Sequence, residues 1–198
     1  MRLTRLVPAL AALLVLASCV TQPAARPATL EVVKRAPAFG ATVFEGGGAY
    51  ETVTAVAHLA SGDAEVLVLQ PADALKTSGV LLIEVTGADG RVLPRMANDG
   101  DARDQRADSA GNGFTMRRGH TVVSVKAASP RQLREAAILM QREYIPDATL
   151  AVGAGQGGHL LREMIRDGFN ISAMGRKVFD GVMVMMTGGG GEFPFTYG

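Results

Sequence analysis

The chain is poor in the residues that mark several protein classes. It has one cysteine, so an intrachain disulfide framework is excluded. It has no tryptophan, and aromatics make up 5% of its residues, too few for a base-stacking surface. The formal net charge is +1 over 198 residues, which gives no electrostatic footing for nucleic acid as a partner. No apolar run reaches the length of about 20 residues that crosses a bilayer as a helix. What the chain does have is a composition 47% hydrophobic and 20% charged, that of a globular domain with a core.

The N-terminus reads as an export signal. Arg2 and Arg5 flank the start of an 11-residue apolar run, Leu6 to Leu16. The run ends in Leu16-Ala17-Ser18-Cys19, which resembles the lipobox of bacterial lipoproteins. That resemblance implies cleavage after Ser18, a diacylglycerol on the Cys19 thiol and attachment to a membrane through that lipid. Val20 is not acidic, and the same resemblance then implies the cell envelope, at the outer membrane facing the periplasm. Val20 to Thr29 is rich in Ala and Pro and reads as an extended tether. The expected organisation is a signal peptide over 1–18, an acylated tether over 19–35 and one domain over 36–198.

Within that domain, Ala49 to Leu59 and Glu65 to Gln70 read as an antiparallel pair around Ser61-Gly62-Asp63. Val80 to Val85 (VLLIEV) is a short apolar run suited to a strand buried on both faces. The carboxylates Asp99, Asp101, Asp104 and Asp108 fall in a polar stretch and match no calcium-loop spacing. Ser109 to Arg118 reads as a short helix and His120 to Lys126 as a strand. Ser129-Pro130-Arg131-Gln132 has the cap, first-turn proline and third-position amide of a helix start, and the helix runs to Tyr144. Thr149 to Val152 is a further strand, 157–167 a helix and Val178 to Met186 the last strand, with Met183, Met185 and Met186 as core residues. This alternation predicts an α/β fold, a mostly parallel sheet preceded by antiparallel strands, with helices on both faces.

The segment Thr149 to Gly158 is the most informative. A strand enters a glycine turn and passes directly into a helix. Gly153, Gly155 and Gly158 satisfy G-x-G-x-x-G, the pattern that seats a pyrophosphate on a helix N-terminus. Gly153-x-Gly155-x-Gly157 has the spacing of a nucleophile elbow, G-x-S-x-G, with glycine where serine stands. Against the nucleotide reading, at least four strands precede the turn, and Asp180 lies at the wrong end of the next strand for a ribose contact. No cofactor is implied, and no His/Cys/Asp/Glu cluster has metal-ligand spacing.

The segment Ala151 to Val182 resembles the elbow region of a bacterial α/β-hydrolase-domain family with exported members. Gln156, Gly158, Leu161, Arg162, Gly168-Phe169-Asn170, Gly175-Arg176 and Val178-Phe179-Asp180-Gly181-Val182 carry the likeness. Pro37-Ala38-Phe39-Gly40, Gly48-Ala49-Tyr50-Glu51, Ala110-Gly111-Asn112-Gly113-Phe114 and Arg118-Gly119 extend it upstream. The resemblance implies a shortened α/β-hydrolase-like domain, without the C-terminal strands, whose relatives hydrolyse carboxylic esters. It also implies an oxyanion hole built from the backbone N–H of Gln156 and the loop Thr86 to Ala88.

The departures concern the chemistry. Gly155 has no atom that can attack a carbonyl, and loss of a serine nucleophile costs about a million-fold. Ser124 lies within a strand, Ser129 is a helix cap and Ser172 follows the helix, so none replaces it. His58, His120 and His159 read as surface or core-edge histidines rather than bases, and Glu192 is the one candidate for a remnant acid. The expectation is a lipoprotein related to ester hydrolases and inactive as written. Its rivals are an esterase completed by a partner chain or an unusual residue, and a binding module holding a small ester, anionic or acyl ligand at Gly153 to Gly158. A sheet edge at Val182 to Met186 is also expected to be exposed and open to homo-oligomer formation.

Overall fold

The computed structural model describes residues 27–87, 90–91, 93–98, 111–172 and 174–185. The lipobox with Cys19, the aspartate-rich stretch 99–108, Ala88, Met186 and Glu192 lie outside the described residues. The strands are β1 (Thr29–Pro37), β2 (Val43–Phe44), β3 (Gly48–His58), β4 (Ala64–Pro71), β5 (Val80–Val85), β6 (Thr121–Lys126), β7 (Ala148–Ala154) and β8 (Gly181–Met185). The helices are α1 (Leu93–Asn98), α2 (Phe114–Arg117), α3 (Pro130–Tyr144) and α4 (Gly155–Arg166).

The strands form one mixed sheet in the order β1-β3-β4-β6-β5-β7-β8, with β2 paired to β3 outside that path. β1, β3 and β4 are antiparallel neighbours and β4 meets β6 antiparallel. β6, β5, β7 and β8 are parallel. An antiparallel start, a crossed β5–β6 pair and parallel strands joined by helices make this the α/β-hydrolase-like architecture expected from the sequence.

Alternation along the strands sends residues to two cores. Leu81, Ile83, Val85, Val123, Val125 and Ala151 pack with Leu133, Ala136 and Met140 of α3 and with Leu161 and Met164 of α4. On the opposite face Tyr50, Leu69, Val122 and Val152 pack with Leu93 of α1 and Met116 of α2. The Tyr50 hydroxyl is inside, and it donates to the carbonyls of His120 and Met116 at 2.9 and 3.2 Å. α3 starts as its sequence predicts, because the Ser129 Oγ accepts the Gln132 N–H at 3.2 Å and Pro130 fills the first turn.

Several expectations need correcting. Thr29–Pro37 is not tether. It pairs with β3 along its length, so the sheet takes in residues from Thr29 onward that lie inside the span 19–35 read as linker. The Ala- and Pro-rich stretch before it was read on into this segment, whose charged residues and Pro37 an edge strand tolerates. Among the described residues, the helix predicted over 109–118 is the single turn Phe114–Arg117. The last strand begins at Gly181 rather than Val178, since Val178 and Phe179 are buried in the incoming loop. Met183 is 56% exposed and not core, because β8 has no neighbour beyond it among the described residues.

Candidate functional site

The turn at Gly153 is at the C-terminal end of the parallel strands. β7 ends at Ala154 and α4 starts at Gly155, with no residue between them. The helix therefore begins two residues earlier than its apolar stripe suggests. Gly155 has φ +49°, a left-handed conformation that disfavours a side chain by roughly 1 kcal/mol.

The neighbouring glycines are required by space. A Cβ on Gly153 would lie 2.7 Å from the Gly157 carbonyl carbon and oxygen, and one on Gly158 would lie 2.8 Å from the Met185 carbonyl oxygen. A Cβ on Gly157 would overlap the Val85 carbonyl oxygen. These contacts let α4 start against the ends of β5, β7 and β8. Gly87 belongs to the same packing, since a Cβ there would come within 2.7 Å of the Gln156 Cβ. The glycine pattern is thus a consequence of how closely the helix approaches the sheet, whatever stands at position 155.

Over this turn lies a cleft of about 730 Å³, lined by Thr86, Gly87, Lys126, Gln156, Gly157 and His159 among others. The structure therefore brings Gln156 and the Thr86–Gly87 corner together, as the resemblance implied. One part of that expectation fails. The Thr86 N–H donates to the Val125 carbonyl at 2.9 Å, so it is not available to a substrate oxygen. The start of α4 carries the positive end of the helix dipole and faces the cleft. Such a place favours a carbonyl or carboxylate oxygen, but Gly155 offers nothing to attack it.

The serines and histidines considered from sequence are scattered and mostly structural. Ser124 is buried, and its Oγ donates to Glu84 at 2.7 Å. Ser172 accepts the Arg176 N–H at 3.1 Å, closing a turn. His58 bridges Glu31 and Asp63, both at 2.9 Å, at the β1–β3 edge. These hydrogen bonds, Glu31 first, raise its pKa above the ordinary imidazole value. His159 lines the cleft. The motif residues after α4 also serve the fold. The Asn170 side chain exchanges two hydrogen bonds with the Phe179 backbone, and Asp180 accepts the Thr149 N–H at 2.9 Å, which docks β8 on β7.

Two arrangements were missed. Glu84, in the apolar run VLLIEV, is fully buried. It accepts from Leu93 N at 2.7 Å, Ser124 Oγ at 2.7 Å and Arg91 Nε at 3.2 Å, fixing the loop that follows β5. A carboxylate inside an apolar strand was the available signal, because such a charge must find partners. At the other end of the sheet, Ser78 Oγ lies 2.7 Å from His120 Nδ1. Burial first, and Arg118 second, hold the His120 pKa below the ordinary imidazole value. Among the described residues no carboxylate orients this imidazole, and the Ser78 Oγ also accepts the Val80 N–H at 3.2 Å. The two residues are 42 apart in sequence, so no local pattern announced them.

No protein-family model and no curated protein matches the chain. Among solved structures it is similar to XC6422 from Xanthomonas campestris, an α/β serine hydrolase without a lid. The identity is 15% and the TM-score 0.41, over 59% of this chain and 56% of that one. It is also similar to brefeldin A esterase, a bacterial homologue of human hormone-sensitive lipase. There the identity is 18% and the TM-score 0.44, over 72% of this chain and 40% of that one. A cold-adapted esterase from an Arctic intertidal metagenomic library matches at 11% identity and TM-score 0.41, over 58% of this chain and 55% of that one. The chain thus spans about half the length of the structures it matches. Likenesses this low carry no argument about activity, and the fold assignment rests on the strand order.

Proposed function

We propose that this domain is related to carboxylic-ester hydrolases and holds a small ester or acyl ligand in the cleft at Gln156 without attacking it. The observation that carries this reading is the apex of the turn, where Gly155 occupies the elbow position at φ +49° and has no side chain. The cleft and the helix N-terminus support the binding half of the proposal. The missing hydroxyl supports the inactive half.

The test is incubation of the purified protein with short nitrophenyl esters and a fluorophosphonate, followed by peptide mass spectrometry. The expected result is background turnover and no adduct between Ala151 and Arg162. Gly155→Ser is expected to restore little, because a serine hydroxyl attacks only when a base touching it is itself oriented by a third group. Turnover that survives Gly155→Ala, or an acyl adduct on the elbow peptide, would overturn the proposal.

We also propose that Cys19 is acylated and that the domain hangs from the outer membrane on the periplasmic side. The sequence pattern at Leu16 to Cys19 supports this. β1 starts ten residues after Cys19, a reach of at most about 35 Å if extended. Incorporation of labelled palmitate that persists in Cys19→Ala would contradict the assignment.

A further inference from the structure

β1 is two short strands joined at a defect. Thr29 to Val32 pair with His58 to Ala55, the register shifts between Val32 and Lys34, and Lys34 to Pro37 pair with Thr54 to Glu51. Such a shift interrupts the ladder, so the two halves can open separately. The second half is clamped by charge, since Arg35 Nη1 donates to Glu51 Oε1 at 2.6 Å. The first half has a different clamp. Glu31 Oε2 lies 2.9 Å from Nε2 of His58, the last residue of β3.

The other ring nitrogen of His58 is occupied too. Its Nδ1 lies 2.9 Å from Oδ1 of Asp63, in the turn before β4. An ionised carboxylate only accepts hydrogen bonds, so two of them require two N–H groups, and only the imidazolium has both. A neutral imidazole has one N–H and turns a lone pair toward the other carboxylate. The two hydrogen bonds, Glu31 first, hold the His58 pKa above the ordinary imidazole value. The other charges at this corner have partners of their own. Glu65 meets Lys126 at 3.6 Å, Glu135 meets Arg131 at 2.9 Å, and Arg142 holds Glu143 and the Ala28 carbonyl. His58 is the imidazole of this set, the side-chain type that changes charge between about pH 5 and 8.

We propose that His58 is a pH-operated latch on the first half of β1. Protonated, it ties Glu31 of β1 and Asp63 of the hairpin to the end of β3. When it loses a proton, the remaining N–H stays with Asp63, five residues away in the same hairpin, and Glu31, 27 residues away, is released. The nearer partner closes the shorter loop and costs less chain entropy to hold. Thr29 to Val32 then detach more often, while the Arg35–Glu51 pair keeps the second half in place. Leu30 still packs on the core and Arg142 still holds the Ala28 carbonyl, so the strand opens more often but is not lost. The tie is complete below the unfolded value of about 6.5 and is lost as pH rises through the raised folded value. β1 is the first of the described strands, and each opening adds about 13 Å of extended chain ahead of the sheet. This inference does not rest on the reading of the elbow.

Hydrogen exchange of the full chain in detergent tests it, read by mass spectrometry at about pH 5.5 and about pH 9, on either side of the histidine range, and corrected for the intrinsic rate. Protection of Thr29 to Val32 should fall about threefold at the higher pH, the scale of an exposed ion pair. Protection of Lys34 to Ala36 should stay level. In His58→Gln the fall should vanish, with Thr29 to Val32 held at both pH values at the lower protection of the unchanged protein. Glu31→Gln should also remove the fall while the His58 ring still titrates by NMR. A fall that survives His58→Gln, an equal fall in both halves of β1, or no fall in the unchanged protein would each overturn the proposal.

Discussion

The two ends of the parallel strands differ in what they hold: one a turn without a reactive side chain, the other a hydroxyl–imidazole contact without such a turn. At the C-terminal end the strand–helix turn keeps the shape of an elbow, with Gly155 at its apex and a cleft above it. At the N-terminal end Ser78 and His120 hold a hydroxyl–imidazole contact of 2.7 Å, and among the described residues no acid orients the imidazole. Shape and reactive groups are therefore separable in this sheet. The turn persists because Gly153, Gly157 and Gly158 let a helix touch three strand ends. That packing stabilises the fold whether or not anything reacts at position 155. The lower pair is anchored by backbone contacts, since Ser78 N donates to the Gly119 carbonyl and Tyr50 holds the His120 carbonyl.

If the upper end is retained for packing, its supports should matter for stability in the absence of any activity. Glu84→Ala is expected to have the largest effect. It removes the acceptor of three hydrogen bonds and breaks a buried ion pair with Arg91. Losing one partner of such a pair costs about 3–5 kcal/mol. Urea denaturation should show this as a lower midpoint. A loss under about 1 kcal/mol would mean that the carboxylate is not what fixes the loop after β5.

Gly157→Ala is the next test, and it asks whether the glycines are there for space. Its methyl group would overlap the Val85 carbonyl, which is backbone and cannot swing away. Overpacking of this kind costs about 1–3 kcal/mol. Gly168→Ala is the control: Gly168 has φ +75° and open space around it, so only the left-handed backbone is penalised, at about 1 kcal/mol. Equal losses at the two positions would remove the argument that close helix approach, and not backbone conformation alone, selects glycine at the elbow.

These contacts also explain what could be read in advance. The cap at Ser129-Pro130, the apolar stripe of α3 and the glycine turn are local, and each states its structure within a few residues. β1 was hidden because an edge strand is written in charged and extended-chain residues that also suit a linker. The exposure of Met183 was hidden because Gly-Val-Met-Val-Met reads as interior strand, and only the sheet order places it last among the described strands. Ser78–His120 and Glu84–Arg91–Ser124 are joined by strand pairing, and no spacing in the chain encodes that. Of the candidate site, the turn and its approach to Thr86–Gly87 were legible. The loss of the Thr86 N–H to Val125 depends on a β5–β6 register that only the fold supplies.

The smallest expected effect concerns the lower end and its titration. Burial, helped by Arg118, keeps the His120 pKa below the ordinary value, whereas hydrogen bonds to Glu31 and Asp63 raise that of His58. Unfolded histidine titrates near about 6.5. For His120 the unfolded chain binds more protons as pH falls below that value, so this residue lowers stability on acidification through its folded pKa. For His58 the sign is opposite: its contribution is present below the unfolded value and is lost as pH rises through the folded one. Imidazole proton shifts followed by NMR should place the His120 midpoint below 6.5 and the His58 midpoint above it, and Arg118→Ala should move only His120 upward. A His120 midpoint at or above that of His58 would mean a solvated, protonated imidazole, which cannot accept the Ser78 proton. The lower end would then hold no hydroxyl–base pair, and the contrast between the two ends would reduce to packing alone.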